Sequence, residues 1–408
     1  MPRIIFITTL PIWSMGKGKG AVAFFKTLEK YINVGWQVYL ISDAEANKDY
    51  PYLDKDQNIV IKSTPFKKFG ALRKIGLAFR WLDHLIMTKK FINTSKKIIL
   101  SNISNKTVLY AYEVFGVKAC QKLSKEFSLP FVTRFQGTIL SQYRNNFINR
   151  IRNYPHYQAL SQNADLVIMT DDGTQGELVL KSLKNKSKIL FLRNGLDLID
   201  KDLSSLYSSF DYDFFRAKLG IKYTDLMFLT VSRLTGWKKI DRAIDGFAKC
   251  IKKCSNARLV IVGDGDKRNF LENKAVQLGV SEFVVFAGSV SQDQVYKYIM
   301  ASDVFLSLYD LSNVGNPLLE AMTLGKCIVT LDVGDTKKLI INRENGILLT
   351  YETLPSLGDI LIEIAENATL RMRLGAAAAA YARKHFYSWE ERLKIEYMEV
   401  EALIKKEI

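Results

Sequence analysis

The feature that most constrains the fold is a repeated alternation of short apolar runs with amphipathic helical segments. The chain opens on such a run at residues 3–9, which shows no polar–apolar alternation. A strand of this kind is typical of a parallel sheet that is covered by helices on both faces. A glycine-rich stretch at 16–20, a helical pattern over 21–33 and a second run at 37–42 follow. This order predicts a doubly wound α/β unit.

The same alternation runs through the chain twice. In the first half, further apolar runs lie at 98–100, 108–110, 131–133, 166–170 and 189–192. In the second half, strands are predicted at 227–231, 258–262, 284–286, 304–308 and 327–331, and helices at 239–252, 267–278, 291–301 and 317–324. Two consecutive series predict two Rossmann-like domains, at 1–200 and 201–375. The polar stretch 197–213 is interpreted as a linker, and residues 376–408 as a helical segment.

The composition agrees with a globular protein of two domains. The 408 residues are 48% apolar and 25% charged, which excludes a disordered, collagen-like or disulfide-stapled chain. The four cysteines show no CxxC spacing, which favours a reducing compartment. The three histidines stand apart in the sequence, so neither a zinc enzyme nor a histidine-based triad is expected. Because no long apolar run and no signal peptide are found, we expect a cytoplasmic protein.

Positive charge is concentrated in the first half of the chain. Residues 1–200 contain 30 Lys and Arg against 15 Asp and Glu, whereas residues 201–408 contain 28 against 27. Residues 67–106 carry ten cations and a single acid, Asp83, interleaved with aromatic and aliphatic residues. Three interpretations are open: docking on an anionic membrane surface, an ordinary solvated face, or contact with nucleic acid. No nucleic-acid-binding motif accompanies the stretch, so we favour peripheral docking on the inner face of the cell membrane.

The glycine-rich stretch opens the first predicted helix. Gly18 and Gly20 would present backbone N–H groups and a helix N-terminus to phosphate or sugar oxygens. Ala23 occupies the third glycine position of a dinucleotide fingerprint, so the pattern for an NAD site is incomplete. A loop that only turns the chain and an NAD-dependent oxidoreductase are both left open.

The second half carries two cations in the loop after its first strand. Arg233 and Lys238 are five residues apart, at the carboxyl edge of the predicted sheet, where ligands of such sheets bind. Arg as a fork and Lys as a point charge would together clamp a diphosphate. The alternative is a solvated loop.

A second ligand signal lies at residues 312–322. Asn316 is predicted to cap a helix whose first residue is Pro317, and the preceding Gly315 would allow a ligand to approach closely. Free N–H groups at a helix start favour an anion. Glu320 falls in an otherwise apolar stretch, where a carboxylate needs a partner. That partner is either a ribose diol or a nearby cation.

Taken in order, these stretches resemble the glycosyltransferases of GT-B fold, in particular family 4. The matching stretches are 16–20, 194–197, 231–239, 259–265, 285–288, 301–305, 315–325 and 345–348. They cover most of the second domain, whereas the first domain matches only through its glycine loop. The resemblance implies two Rossmann-like domains that face a central cleft, with the segment 376–408 packing back on the first domain.

The resemblance also implies a site and an activity. Arg233 and Lys238 would neutralise the donor diphosphate and Glu320 would bind the ribose. Other donor contacts would come from Gly18, Gly20, Gly263, Gly265, Ser312, Asn313, Gly315 and Asn316, and Gln136 would contact the acceptor or the sugar. The expected reaction moves a hexose-type sugar from a nucleotide-sugar, expected to be UDP-linked, to a glycan or lipid-linked acceptor in cell-surface polysaccharide or lipopolysaccharide assembly. It retains the anomeric configuration and uses no metal and no cofactor.

The chain departs from the family pattern at four positions. Ser312 replaces the first of two glutamates eight residues apart, and Gln136 stands where many members have a histidine. A glutamine can donate or accept a hydrogen bond but cannot act as a base. Lys239 and Lys338 replace a common glycine and a common glutamate. A non-catalytic relative that binds nucleotide-sugar or glycan is therefore also left open.

Two acidic pairs have simpler interpretations than a catalytic role. Asp264 and Asp266 are spaced as in a metal-binding D-x-D motif, but they fall in the glycine turn after a strand, so no metal is expected there. Asp171 and Asp172 are predicted to cap a helix.

Overall fold

The structure, a computed structural model, describes residues 1–10, 21–42, 58–64, 77–101 and 106–405, without the side chains of residues 77–80. The glycine loop with Gly18 and Gly20 lies outside the described residues, as do the cations between 67 and 76. The chain divides into two compact units. Unit 1 comprises Met1–Asp171, Gln175–Asn194 and Trp389–Ile408, and unit 2 comprises Asp172–Thr174 and Gly195–Ser388.

Unit 1 is built on a parallel sheet. Within the described residues its seven strands run in the order β3-β2-β1-β4-β5-β6-β7. The strands are β1 (Arg3–Thr8), β2 (Gln37–Ser42), β3 (Ile59–Ser63), β4 (Thr107–Tyr112), β5 (Phe131–Phe135), β6 (Leu166–Thr170) and β7 (Lys188–Leu192). Every residue of β1, β4, β5 and β6 is buried. This burial on both faces explains why the apolar runs show no alternation.

Before the last helix, the described residues of unit 1 form α1 (Val22–Asn33), α2 (Leu77–Ser101), α3 (Val117–Phe127), α4 (Phe147–Arg152), α5 (Tyr154–Leu160) and α6 (Gly176–Ser182). Helix α1 buries apolar residues at helical spacing, from Phe24 to Ile32, against the sheet. The apolar run 98–100 was expected to be a strand, and this is wrong. It forms the last turns of α2, because Ile98 and Ile99 continue the buried face of that helix.

Unit 2 repeats the same winding. Within the described residues its six strands are parallel, in the order β10-β9-β8-β11-β12-β13. The strands are β8 (Leu226–Val231), β9 (Ala257–Val262), β10 (Val284–Gly288), β11 (Val304–Ser307), β12 (Cys327–Leu331) and β13 (Ile347–Leu349). The helices are α7 (Leu203–Ser208), α8 (Tyr212–Lys218), α9 (Ile240–Cys250), α10 (Arg268–Gln277), α11 (Gln292–Ala301), α12 (Asn316–Thr323), α13 (Leu357–Glu366) and α14 (Ala368–His385). The predicted α/β class, with two doubly wound Rossmann-like sheets, is confirmed.

The interpretation of 197–213 as a linker is wrong. The segment belongs to unit 2, buries Leu198 and contains α7 and the start of α8. Leu203, Leu206 and Phe210 pack against the apolar core of unit 2. Their three- and four-residue spacing is the helical signal, which the surrounding serines and aspartates obscure.

The last boundary between the units lies later in the sequence than predicted. Helix α14 passes through residue 376, and the chain stays within unit 2 up to Ser388. The remaining helix, α15 (Trp389–Lys405), belongs to unit 1, where Val400 and Ile404 join the core beneath the sheet. The boundary falls after Ser388 because Phe386 is still packed in the core of unit 2.

A buried ionic group ties α15 to the sheet of unit 1. Arg134 on β5 and Arg392 on α15 both donate to the carboxylate of Glu396, and all three side chains are at most 1% exposed. Tyr110 on β4 donates to the same carboxylate at 2.5 Å. Although burial raises the pKa of Glu396, Arg134 and Arg392 outweigh it and hold that pKa below its usual value. The carboxylate therefore links two strands to the last helix.

Candidate functional site

Lys238 lies in a short 3₁₀ turn, Gly236–Lys238, in the loop that follows β8. Its Nζ is 4.4 Å from the ring centroid of Trp237 and 4.1 Å from that of Tyr309. The same Nζ donates to the backbone carbonyl of Ser312 at 3.3 Å. The side chain is half-buried and no carboxylate lies within salt-bridge distance of it among the described residues. These contacts hold the Lys238 side chain in place, whereas Arg233 in the same loop is exposed.

Burial changes the acidity of this ammonium group. It lowers the pKa of Lys238 to about 7, against the attraction of Asp172 and with a further lowering by Arg233. Asp172 attracts the ammonium and Arg233 repels it, but no carboxylate forms a salt bridge with Lys238 within the described residues. An anion bound there would restore the ordinary pKa of the lysine, because a nearby opposite charge favours the charged form.

Asp172 is a residue of this site that the sequence did not reveal. Its carboxylate accepts hydrogen bonds from the Thr174 backbone N–H at 3.1 Å and hydroxyl at 2.6 Å. It also accepts one from the Ser312 hydroxyl, and burial raises its pKa to about 6. The prediction that it caps a helix is wrong, since α6 begins at Gly176 with Gln175 before it.

Residues 172–174 pack against the loop that leads into α12. The Val314 N–H donates to the carbonyl of Asp172 at 3.1 Å, and the Asp335 N–H donates to the carbonyl of Gly173 at 3.4 Å. Gly173 has a φ of +87°, and an added Cβ would lie 3.1 Å from Cγ2 of Val314. The close approach of the two segments depends on this glycine.

The N-terminus of α12 differs by one residue from the prediction. Gly315 is the N-cap, Asn316 the first helical residue and Pro317 the second. An added Cβ on Gly315 would find no atom nearer than Cδ of Pro317 at 3.8 Å. Packing therefore does not require glycine here, and the space beside the first N–H groups of the helix is open to a ligand.

Glu320 lies one turn into α12 and is 9% exposed. Its Oε1 accepts a hydrogen bond from Nε2 of Gln292 at 3.0 Å, while Oε2 is buried without a partner within the described residues. Burial, with a contribution from Asp197, raises the pKa of Glu320 to about 8, against the lowering effects of Gln292 and Lys201. Its bonded partner is an amide rather than a cation, and its second oxygen is left for a hydrogen-bond donor such as a hydroxyl.

Ser312 and Asn313 act within the protein fold. Ser312 has a φ of +53°, unusual for a residue other than glycine, and its hydroxyl is engaged by Asp172. Asn313 is 1% exposed, and its amide donates to Thr330 and to the Leu331 carbonyl. Its Oδ1 accepts from Ser307 at 2.7 Å. That Asn313 contacts the donor stays a prediction for its backbone, because the hydrogen-bonding groups of its side chain are used inside unit 2.

Packing within the fold explains why positions 263 and 265 are glycine. A Cβ on Gly263 would lie 1.8 Å from the Ser232 carbonyl oxygen, and one on Gly265 would lie 2.4 Å from that of Leu234. The two glycines thus let the loop after β9 pack against the loop that carries Arg233 and Lys238. They shape the candidate site by fixing its backbone.

Gln136 follows β5 in unit 1. Its Nε2 donates to the Tyr112 hydroxyl at 2.6 Å and its Oε1 accepts from Asn194 at 3.4 Å. Its backbone N–H donates to Glu113 at 2.8 Å. The side chain is half-buried and already oriented by these neighbours.

Two departures from the family pattern have structural explanations. Lys239 has a φ of +47°, which is why a glycine suits this position. Lys338 forms a salt bridge of 2.9 Å with Asp335, so its charge is compensated next to residues 172–174.

The described residues contain neither a candidate metal site nor a candidate membrane-spanning helix. Among the residues that the structure describes, no group of three or more His, Cys, Asp or Glu side chains is arranged to hold a metal ion. In the same part of the chain, no helix is long and apolar enough to span a bilayer.

Most of the second unit is similar to a known protein family. Residues 211–381 match the family described as glycosyl transferases group 1. An uncharacterized glycosyltransferase of Methanocaldococcus jannaschii is 32% identical over 189 residues, 44% of this chain and 48% of that protein. The alpha-monoglucosyldiacylglycerol synthase of Acholeplasma laidlawii is 22% identical over 65% of this chain and 67% of its own length. The chain thus spans about half to two thirds of these relatives.

The solved structures extend the likeness to the whole chain. The crystal structure of Anabaena HepE in complex with UDP and glucose superposes with a TM-score of 0.72 and 20% identity. It covers 98% of this chain and 99% of its own. The whole chain therefore has the GT-B fold, and residues 211–381 match the family of glycosyl transferases group 1.

Proposed function

We propose that the protein is a retaining glycosyltransferase of family 4. It transfers a hexose-type sugar from a nucleotide-sugar to a glycan or lipid-linked acceptor. The observation that carries the proposal is the ammonium of Lys238. It is half-buried between two aromatic rings, has no carboxylate salt bridge within the described residues, and contacts the loop before the N-terminus of α12. A diphosphate would pair directly with its charge.

Unit 2 would hold the donor through the residues of the candidate site. Lys238 and Arg233 would bind the diphosphate, assisted by the first N–H groups of α12 beside Gly315 and Asn316. Oε2 of Glu320 would accept a hydrogen bond from a ribose hydroxyl. Ser312 and Asn313 contribute through the loop conformation that they maintain. Gly18 and Gly20 keep their predicted role as further donor contacts.

The proposed reaction breaks the bond between the sugar C1 and the diphosphate oxygen and forms a bond from C1 to an acceptor hydroxyl oxygen on the same face. The acceptor proton passes to the departing phosphate oxygen, so no protein base is required. This agrees with glutamine at position 136, which cannot take a proton. Lys238 and Arg233 stabilise the negative charge that grows on the leaving diphosphate.

Asp172 is proposed as the residue that positions this loop. Its carboxylate holds the Ser312 hydroxyl, and the Ser312 carbonyl receives the hydrogen bond from Lys238. The negative charge of Asp172 also supports the protonated form of Lys238. Through these two effects Asp172 orients the diphosphate-binding cation without contacting the substrate itself.

The choice of donor and acceptor is supported by the relatives. The Anabaena protein was crystallised with UDP and glucose, which makes UDP-glucose the first donor to test. The Acholeplasma relative is named for a glucosyldiacylglycerol product, which supports a lipid-linked acceptor. A role in cell-surface polysaccharide or lipopolysaccharide assembly, on the inner face of the membrane, follows as part of the proposal. Gln136 would contact the acceptor or the transferred sugar.

The test is nucleotide release from α-linked nucleotide-sugars, with a chelator present, in the presence of lipid and oligosaccharide acceptors. The proposal expects one donor to be consumed and NMR of the product to show the α-anomer. Binding of the donor without hydrolysis or transfer, for every acceptor, would instead favour the non-catalytic alternative. Transfer with a β-linked product would contradict retention.

A further inference from the structure

Helix α4 of unit 1 does not contribute to the core. None of its residues is buried, and Phe147 and Ile148 at its start are 77% and 61% exposed. The six-residue helix is held by local polar contacts, with the Asn149 N–H donating to the Asn146 side chain at 2.9 Å. A helix this short has little stability of its own in water. Its two largest apolar side chains therefore point away from unit 1 at a cost that the fold does not recover.

Further exposed apolar side chains lie just before α4 and on α2. Arg152 ends α4, Tyr154 begins α5, and the ring of Tyr154 lies 5.1 Å from that of Trp81 on α2. Trp81, Leu85 and Tyr143 are 36%, 56% and 41% exposed. Phe147, Ile148, Tyr143, Trp81 and Leu85 are called the apolar surface below.

The charged residues nearest in sequence to Phe147 and Ile148 are all positive. Arg144, Arg150 and Arg152 are exposed and none forms a salt bridge within the described residues. No Asp or Glu occurs between Glu126 and Asp165 in the sequence. The single acid of α2, Asp83, is 4% exposed, whereas Lys89 and Lys90 are exposed on the same helix.

We propose that the apolar surface inserts into the headgroup region of an anionic lipid bilayer, with Phe147 and Ile148 as the deepest residues. The three arginines would contact lipid phosphates while the two apolar side chains leave water, which is the arrangement of interfacial membrane helices. Positive charge suits lipid and nucleic-acid phosphates alike. The exposed apolar side chains favour the bilayer, because a nucleic acid would leave them in water. The inference extends the proposed lipid-linked acceptor but rests on surface residues alone.

The test is co-sedimentation of the full chain with vesicles, in the absence of donor and acceptor. Vesicles of phosphatidylcholine alone are compared with vesicles that also contain phosphatidylglycerol, at low and high salt. The wild type should bind the anionic vesicles and be released by salt. The double variant Phe147→Ser, Ile148→Ser should bind about tenfold more weakly, with an unchanged melting temperature because neither side chain is buried.

Phe214→Ser is the matched control, since Phe214 is a phenylalanine of unit 2 that is 59% exposed. It should bind vesicles as the wild type does. The combined variant Arg144→Gln, Arg150→Gln, Arg152→Gln should lose most of the preference for anionic vesicles. These outcomes are independent of sugar transfer, so failure of the proposed reaction leaves them unchanged.

Two results would overturn the inference. One is a wild type that ignores anionic vesicles at low salt, or a double variant that binds them as tightly as the wild type. The other is a concentration-dependent dimer that the double variant abolishes, because the apolar surface would then be covered by a second copy of the chain.

Discussion

The two units wind their sheets in the same order but use their residues differently. In both, the first strand pairs with the second and fourth of its own series. Unit 2 has polar loops at the carboxyl ends of its strands. Within the described residues, Lys238 has no carboxylate salt bridge and Oε2 of Glu320 has no hydrogen-bond partner. Unit 1 places its unusual charges inside, at Arg134, Arg392 and Glu396, and presents apolar groups outside. Shared topology therefore does not imply shared chemistry, because function resides in the loops and surfaces grafted on it.

The comparison explains which half could be interpreted from sequence. Backbone packing in unit 2 restricts its loops to particular residues, such as Gly263 and Gly265, whose added Cβ atoms would collide with carbonyl oxygens. Such constraints leave recognisable motifs. The surface residues of unit 1 need only be compatible with exposure to solvent, and this requirement leaves no short sequence motif.

The largest expected effect tests the buried charges of unit 1. Glu396→Ala removes the carboxylate between two arginines and should lower the free energy of unfolding by about 3–5 kcal/mol, because buried charges are left uncompensated. Denaturant unfolding followed by circular dichroism measures it. Glu399→Ala, which removes a surface pair with the exposed Lys188, should cost about 1 kcal/mol or less. Equal losses in the two variants would show that the buried group is not special.

The next effect separates the units by activity. Lys238→Ala should reduce kcat/KM for the donor by about 100-fold or more, because stabilisation of the leaving diphosphate is lost. Glu320→Ala should raise the donor KM with the fold intact. Steady-state nucleotide release measures both. The control is Lys249→Ala, an exposed lysine of unit 2 paired with Asp359, and near-normal turnover in both site variants would remove the site assignment.

A smaller effect distinguishes two neighbours in sequence. Asp172→Asn should raise the donor KM about tenfold, since it weakens charged hydrogen bonds that position Ser312 and Lys238. Asp172→Ala should be worse, with partial recovery in Asp172→Asn as the sign of a positioning role. Asp171→Asn, which loses a 3.2 Å contact with Arg193 in unit 1, should leave the donor KM unchanged. The same KM change in Asp171→Asn would argue against a specific role for Asp172.

The smallest effect is a pH dependence of donor affinity. The pKa of Lys238 is lowered to about 7, chiefly by burial. Its ammonium is present below that value and is lost as pH rises through it, while Arg233 stays charged. Affinity for UDP-glucose should fall by less than about tenfold between pH 6 and pH 8, with Asp172, whose pKa is raised to about 6, contributing at the acid end. Lys238→Arg should flatten the profile, and an unchanged slope in that variant would assign the titration to another group.

The sequence predicted the sheets well because buried parallel strands have a strong signature. It failed where two signals compete. Residues 98–100 are apolar enough for a strand but continue a helix, and 197–213 is polar enough for a linker but holds a packed helix. Both errors come from local composition outweighing periodicity.

The candidate site was predicted in part for a similar reason. Arg233 and Lys238 lie in the loop after β8, and Gly315 and Glu320 lie at the start of α12, so each pair falls in one short segment of unit 2. Asp172 was missed because Ser312 and Lys238 are 140 and 66 residues away along the chain, so no local spacing reveals them. The burial of the Asn313 side chain was not foreseen, because an asparagine near a ligand loop and one buried beneath it look alike in sequence.

The central proposal is that unit 2 binds a nucleotide-sugar, with Lys238 on the diphosphate and Glu320 on the ribose. Calorimetric titration of the wild type with UDP-glucose, UDP, ADP-glucose and GDP-mannose, with a chelator present, tests it directly. We predict that one nucleotide family binds, that the matching sugar strengthens this binding, and that Lys238→Ala and Glu320→Ala each weaken it strongly while remaining folded. Undiminished binding in both variants, or no binding of any member to the folded wild type, would contradict it.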